Sequence, residues 1–245
     1  MDREAREEQM SKICGKVSAR VWDASAEVLR LAEKYRYLGK DFTFSFNGSL
    51  DEQVNAILLA LSDNLQTDAK NAAMQAIYDA QDDEDEITEY IEREQNDNDS
   101  TERYDWWCSR LKDSLGAWAA AGFACGLTAS GILSEMNKYL KNPAGSGIWG
   151  RSKTMPPASF GKGLSGDIVS GLTLVSQGMI NDAWIYESIL DAARSGATGY
   201  TVHRGSTYDC ELCDSLCGYV HPLTDICLPA HPRCMCYIEP VFGNG

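Results

Sequence analysis

Apolar residues recur at every third or fourth position through most of the chain, and this periodicity predicts amphipathic helices. It predicts helices over residues 1–38, 54–80, 101–140 and 167–194. In the first helix the apolar stripe consists of Met10, Ile13, Val17, Val21, Val28, Leu31 and Tyr35. A capping box of Ser49 and Glu52 is expected before the second helix. The stripe is expected to pack within this chain, and a partner helix in an assembly is the alternative.

Alternating apolar and polar residues, which indicate strands, occur in three short stretches. In residues 42–46 three phenylalanines alternate with Thr43 and Ser45 before an Asn-Gly turn. The other two stretches, residues 201–203 and 237–241, flank a cysteine-rich segment. The expected fold class is therefore mainly α, with a small α+β C-terminal domain in which a helix and short strands surround that segment.

Residues 115–133 are apolar or small and carry no charge. This uncharged stretch is long enough to span a membrane. Four glycines and two hydroxyl side chains, those of Thr128 and Ser130, lower the hydropathy of this stretch. We therefore expect a closely packed central helix in which glycine and alanine let backbones approach, with a membrane crossing as the alternative. Cys14, Cys108 and Cys125 are expected to be buried thiols.

Proline and glycine mark the domain boundary. Residues 142–166 contain three prolines and six glycines, a composition typical of a linker or long loop. The predicted organisation is a helical, acidic N-terminal region over residues 1–141, a linker over 142–166, and a C-terminal domain over 167–245.

The chain is acidic, with a formal net charge of −14 at pH 7. Residues 79–105 contain 13 acidic and 2 basic side chains, which indicates a solvated helix end and connector or, alternatively, a surface for a basic partner. Because affinity for phosphates depends on Lys and Arg, no strong nucleic-acid binding is expected. The charged first 16 residues have no apolar core of a secretory signal, so we expect cytosolic synthesis, where metal binding is favoured over disulfides.

The richest chemistry lies near the C-terminus, where six of the nine cysteines and all three histidines fall within residues 203–236. Cys210 and Cys213 form a C-x-x-C pair, a spacing that brings two thiolates to one tetrahedral ion. His231 and Cys234 supply a second pair. Cys236 could replace Cys234, because two residues separated only by Met235 are not expected to face one ion together. We expect one structural Zn²⁺ held by Cys210, Cys213, His231 and either Cys234 or Cys236.

Three potential ligands are left over. Cys217, His221 and Cys227 could form a second metal site, or Cys217 and Cys227 could form a disulfide. The catalytic zinc motifs H-x-E with P-C-x-x-C and H-E-x-x-H are absent. A catalytic zinc also keeps an open coordination position, whereas this segment offers more ligands than one ion needs. No catalytic residue and no enzymatic activity are therefore expected.

The same segment resembles the C-terminal domain of phage Mu F-like head-morphogenesis proteins, which are minor capsid proteins of tailed phages. The resemblance covers residues 164–241, about a third of the chain. The matching positions are Asp209, Cys210, Cys213, Leu216, Gly218, Pro229, His231, Pro232, Cys234 and Cys236. The resemblance implies a non-enzymatic, portal-associated virion protein that acts in head morphogenesis. It implies the portal and other capsid proteins as partners, possible oligomers within the virion, and a location in the virion and, during assembly, in the host cytoplasm.

Two other functions fit the sequence. The Mu F-like segment could be the delivery module of a toxin or enzyme effector, or the cysteine-rich segment could be a zinc-ribbon binding module. The first 160 residues contain neither histidine nor a G-x-S-x-G motif, which disfavours the effector. The negative charge disfavours a nucleic-acid-binding ribbon.

Overall fold

The computed structural model describes residues 3–77, 99–141, 165–207, 209–231 and 234–243. Its helices are α1 (Arg3–Tyr37), α2 (Gly48–Ile77), α3 (Asp99–Ala124), α4 (Ala129–Lys141), α5 (Ser165–Arg194) and α6 (Glu211–Leu216). Its strands are β1 (Gly199–His203), β2 (Val220–His221) and β3 (Tyr237–Val241). The protein is mainly helical with a small antiparallel sheet near the C-terminus, which confirms the predicted fold class.

The chain forms two compact units, and neither is one continuous stretch. The C-terminal unit comprises Met1–Cys14, Thr67–Ser100 and Leu174–Gly245, and the helical unit comprises Gly15–Gln66 and Thr101–Thr173. The predicted linker at residues 142–166 lies outside the described residues except for Ser165 and Gly166, which begin α5. The acidic stretch at residues 79–105 is described only from Asp99 onward. The first turns of α1 thus belong to the unit that carries the cysteine-rich segment.

The predicted stripe of α1 is buried at every position except Leu31, which is half-buried. In the helical unit, the core is built from apolar side chains of α1, α2 and α3. Members with less than 5 % of their surface exposed include Val17, Val28, Leu50, Val54, Leu58, Leu65, Leu111, Leu115 and Trp118. The helical periodicity therefore identified the buried side of α1.

The helix predicted over residues 101–140 is broken in two, which corrects that prediction. The chain leaves α3 at Gly126, whose positive φ of 75° suits glycine, and the N–H of Leu127 donates to the carbonyl of Gly122 at 2.9 Å. The hydroxyl of Thr128 then caps α4 by accepting from the N–H of Gly131 at 3.1 Å. A Cβ atom on Gly122 would lie 2.3 Å from Cγ1 of Ile132, so glycine does permit close packing here, as expected.

No single helix among the described residues has the length and apolar character of a membrane span. One pair of helices, Thr101–Ala124 and Ala129–Met136, is long and apolar enough only when both are counted together, and they are bent by 117° relative to each other.

The phenylalanine alternation does not form the predicted strand. Phe44–Phe46 is a short 3-10 helix in which Phe44 is buried and Phe46 is 81 % exposed. Asn47, rather than Ser49, caps α2, because its Oδ1 accepts from the N–H of Leu50 at 3.2 Å. The predicted capping box is therefore wrong.

The sheet has the order β2-β1-β3, with both pairings antiparallel. Thr201 of β1 lies opposite Glu239 of β3, which confirms the two strands predicted around the cysteine-rich segment. The two-residue β2 was not predicted. One core joins the sheet, α5 and three of the cysteines, and its buried members are Trp184, Ile185, Ile189, Tyr200, Val202, Cys213, Leu228, Cys234, Cys236 and Ile238.

Candidate metal centre

The C-x-x-C pair is shaped by the start of α6. Cys210 directly precedes this helix, and its carbonyl accepts from the N–H of Asp214 at 2.9 Å. The backbone N–H groups of Cys213 and Leu212 point at the Cys210 sulfur, and these hydrogen bonds lower the pKa of the Cys210 thiol. Arg204, just after β1, donates to the Cys210 carbonyl and to the Asp214 carboxylate, so the sheet and α6 are tied together at this point.

The second pair comes from the segment that leads into β3. The N–H of Cys234 donates to the carbonyl of His231 at 3.0 Å. The Sγ atom of Cys213 lies 3.1 Å from Nε2 of His231 and 3.8 Å from Sγ of Cys234. The two predicted pairs are therefore brought together in space.

All five predicted ligand residues meet at Cys213. Ligand atoms of Cys210, Cys213 and His231 lie within 4.8 Å of one another, and those of Cys213, Cys234 and Cys236 do the same. Thiolate and imidazole groups are the ligands of zinc and of other soft or borderline metal ions. The C-terminal Cys and His residues could thus hold a metal ion.

Cys234 and Cys236 both approach Cys213, contrary to the expectation that only one of them could face the site. They are 1 % and 3 % exposed. Successive residues of an extended segment point to opposite sides and residues two apart point to the same side, so thiols at positions 234 and 236 can both face one centre. The five candidate ligands thus form two groups of three that share Cys213, whereas a tetrahedral ion takes four ligands.

Electrostatics disfavour the thiolate forms of this cluster unless a cation is present. Burial raises the pKa of the Cys213 thiol, and hydrogen bonds with the neighbouring thiols raise it further. Burial also raises the pKa of Cys236. Several thiolates packed within 5 Å repel one another in a site with little water, so their anionic forms require a positive charge at the centre.

The leftover residues lie outside these two groups. The Sγ atom of Cys217 donates to the carbonyl of Cys213 at 3.3 Å, and that of Cys227 lies 3.3 Å from the hydroxyl of Tyr200. The imidazole of His221 contacts the carbonyl of Leu216 and stacks on Tyr200. All nine cysteines are free thiols, so the disulfide considered between Cys217 and Cys227 is not formed. Within the described ranges, Cys217, His221 and Cys227 belong to no group of three potential ligands.

Sequence reasoning missed two residues that contact the segment carrying Cys234 and Cys236. Arg6 of α1 and Asn181 of α5 are both buried and donate hydrogen bonds to its carbonyl groups. No local signal marks them, because Arg6 lies in a charged N-terminal run and Asn181 is one of several polar residues inside a predicted helix. Burial lowers the pKa of Arg6 to about 10, which leaves it charged at neutral pH.

Comparison of the chain with known protein families, with curated proteins and with solved structures finds no match.

Proposed function

We propose that this chain is a non-enzymatic minor head protein of a tailed phage, in which one structural Zn²⁺ fixes the C-terminal unit. The observation that carries the proposal is the convergence of Cys210, Cys213, His231, Cys234 and Cys236. These five residues are also among the positions on which the resemblance to Mu F-like proteins rests.

A structural role for the zinc follows from the surroundings of the ligands. Cys213, Cys234 and Cys236 lie in the same buried core as Trp184 and Ile238. A catalytic zinc needs an open position for water or substrate, whereas here protein ligands outnumber the four positions of the ion. The sheet is small, with one strand of two residues, and such a unit gains folding free energy from a bound ion.

The proposal assigns assembly contacts to protein partners, namely the portal and other capsid proteins. With a net charge of −14, the chain is poorly suited to counterion-driven DNA binding. Several large apolar side chains of the C-terminal unit are exposed and could meet a protein surface. They are Leu212, Tyr219, Val220, Ile226 and Phe242.

The zinc part is tested by elemental analysis of the purified full chain. We expect about one zinc per chain, loss of zinc in the double variant Cys210→Ser/Cys213→Ser, and full occupancy in Cys125→Ser, whose thiol is exposed in the helical unit. A purified wild-type protein that is folded but contains no zinc contradicts the proposed structural role of the zinc.

The head-assembly part needs a separate experiment. The chain is expressed with the portal, scaffold and capsid proteins of the same genome, and the heads are purified and analysed by mass spectrometry. We expect the chain in the particles and in complexes with the portal. Particles that form without it, together with growth arrest when the chain alone is produced in cells, would favour the effector alternative.

A further inference from the structure

The guanidinium of Arg6 is completely buried, with 0 % of the residue exposed. Arginine is almost never fully buried unless its charge is paired or hydrogen-bonded. Arg6 lies near the start of α1, where its charged neighbours Arg3, Glu4, Glu7 and Glu8 are all exposed. Its burial therefore requires specific partners.

The partners belong to the segment that carries two candidate ligands. The Nη1 group of Arg6 donates to the carbonyl of Cys236 at 3.3 Å, and Nη2 donates to the carbonyl of Met235 at 3.1 Å. The Nη1 group also donates to Oδ1 of Asn181 at 3.0 Å, and Nδ2 of Asn181 donates to the carbonyl of Cys234 at 3.0 Å. Three consecutive carbonyl groups are thus held by two side chains.

Further contacts fix the Arg6 side chain and the segment. The guanidinium lies over the ring of Trp184, 4.0 Å from its centre, which adds a cation–π interaction. Gly205 lies so close to the segment that a Cβ atom would be 1.6 Å from the Met235 carbonyl oxygen. One turn before Arg6, Arg3 donates to the carbonyl of Gly205 at 3.4 Å. Two arginines of α1 therefore hold the two stretches of backbone that meet here.

We propose that Arg6 is a positioning residue of the metal centre, and that metal binding and the docking of the first turns of α1 stabilise each other. The inference rests on the proposed zinc site. Hydrogen bonds to the backbone of a metal ligand fix the position of its sulfur atom. Removing the groups that donate them weakens metal binding. By linkage, an ion that orders residues 234–236 must also favour the docked state of the residues that hold them.

The first test compares Arg6→Met with Lys12→Met in the full chain. Both substitutions remove one positive charge from α1, but Lys12 is exposed and pairs only with Glu8 in the described contacts. Zinc affinity is measured by competition with a chromophoric chelator, and site geometry by the visible spectrum of the Co²⁺ form. We expect Arg6→Met to bind zinc about 10- to 100-fold more weakly with an altered Co²⁺ spectrum, and Lys12→Met to match the wild type.

A third variant separates geometry from charge. Arg6→Lys keeps the charge but loses the planar fork that reaches the two carbonyls. We expect it to be impaired like Arg6→Met. Full rescue by lysine would overturn the positioning role, because the charge alone would then suffice.

Hydrogen exchange of the wild type tests the coupling even if Arg6→Met does not fold. Zinc-loaded protein is compared with protein stripped by chelator, and we expect the amides of residues 7–14 to lose protection on stripping while those of residues 20–35 keep theirs. Equal protection with and without zinc overturns the coupling. A wild-type protein that takes up no zinc contradicts both the proposed zinc site and this inference. If the wild type binds zinc and Arg6→Met binds it with equal affinity, only this inference is overturned.

Discussion

The Sγ atom of Cys213 lies 3.1 Å from Nε2 of His231, and the two residues are 18 positions apart in the chain. Cys213 is also the one residue common to both groups of candidate ligands. Cys213 is therefore the side chain that connects the two groups.

Replacing Cys213 with serine should abolish stoichiometric zinc and lower thermal stability. A ligand present at a thousand times its dissociation constant stabilises the folded state by about 4 kcal/mol, and this contribution disappears with the site. Elemental analysis and thermal unfolding with and without added zinc measure the effect. Cys217→Ser is the matched control, because this nearby thiol lies outside both groups, and it should retain zinc and its dependence on zinc. Equal zinc contents in the two variants would contradict the assignment.

The choice between Cys234 and Cys236 is open to a paired experiment. A tetrahedral site that already includes Cys210, Cys213 and His231 takes one more ligand. Of the variants Cys234→Ser and Cys236→Ser, we therefore expect one to lose zinc and the other to keep it. Loss of zinc in both, with retention in His231→Ala, would instead indicate a site of four thiolates.

Gly122→Ala should destabilise the helical unit, because its Cβ atom would lie 2.3 Å from the buried Ile132 side chain. Overpacking of this kind costs about 1–3 kcal/mol. The control is Gly15→Ala in α1, where no atom lies within 4 Å of the added Cβ and the better helix propensity of alanine should add about 0.5–1 kcal/mol. Urea unfolding of both variants measures these changes, and an unchanged Gly122→Ala midpoint would mean that the two helices do not approach this closely.

Thiol reactivity should separate Cys108 from Cys125. Cys108 is 4 % exposed, and burial raises its pKa to about 12, so almost none is thiolate at pH 8. Cys125 is exposed, which corrects the prediction that it is buried. With iodoacetamide at pH 8, peptide mapping should show Cys125 modified rapidly and Cys108 modified only after unfolding. Fast modification of Cys108 in the folded protein would contradict its burial.

The clustering of the candidate ligand residues could be predicted because each pair is local. Cys210 with Cys213 and His231 with Cys234 are each three residues apart, so a turn brings each pair together without knowledge of the rest of the fold. In the same way, the stripe of α1 follows from helix geometry alone. Both the clustering of these residues and the buried side of α1 could therefore be predicted from local spacing.

The failures have a shared physical origin, since in each a distant contact or one residue's backbone overrides a local pattern. Gly126 ends α3 inside an apolar run that reads as continuous helix. The burial of Phe44 and the exposure of Phe46 follow from packing, and residue alternation does not reveal them. Arg6 lies 175 positions before Asn181, so no window of sequence contains both.

The docking of Arg6 bears on how this protein can be divided for study. The proline- and glycine-rich stretch at residues 142–166 looks like the natural place to cut, but a C-terminal piece made that way would lack the guanidinium. The carbonyls of Met235 and Cys236 would lose their donor, and the ring of Trp184 would lose its cover. A peptide spanning the first turns of α1, supplied in trans, is the missing part that such a piece would need.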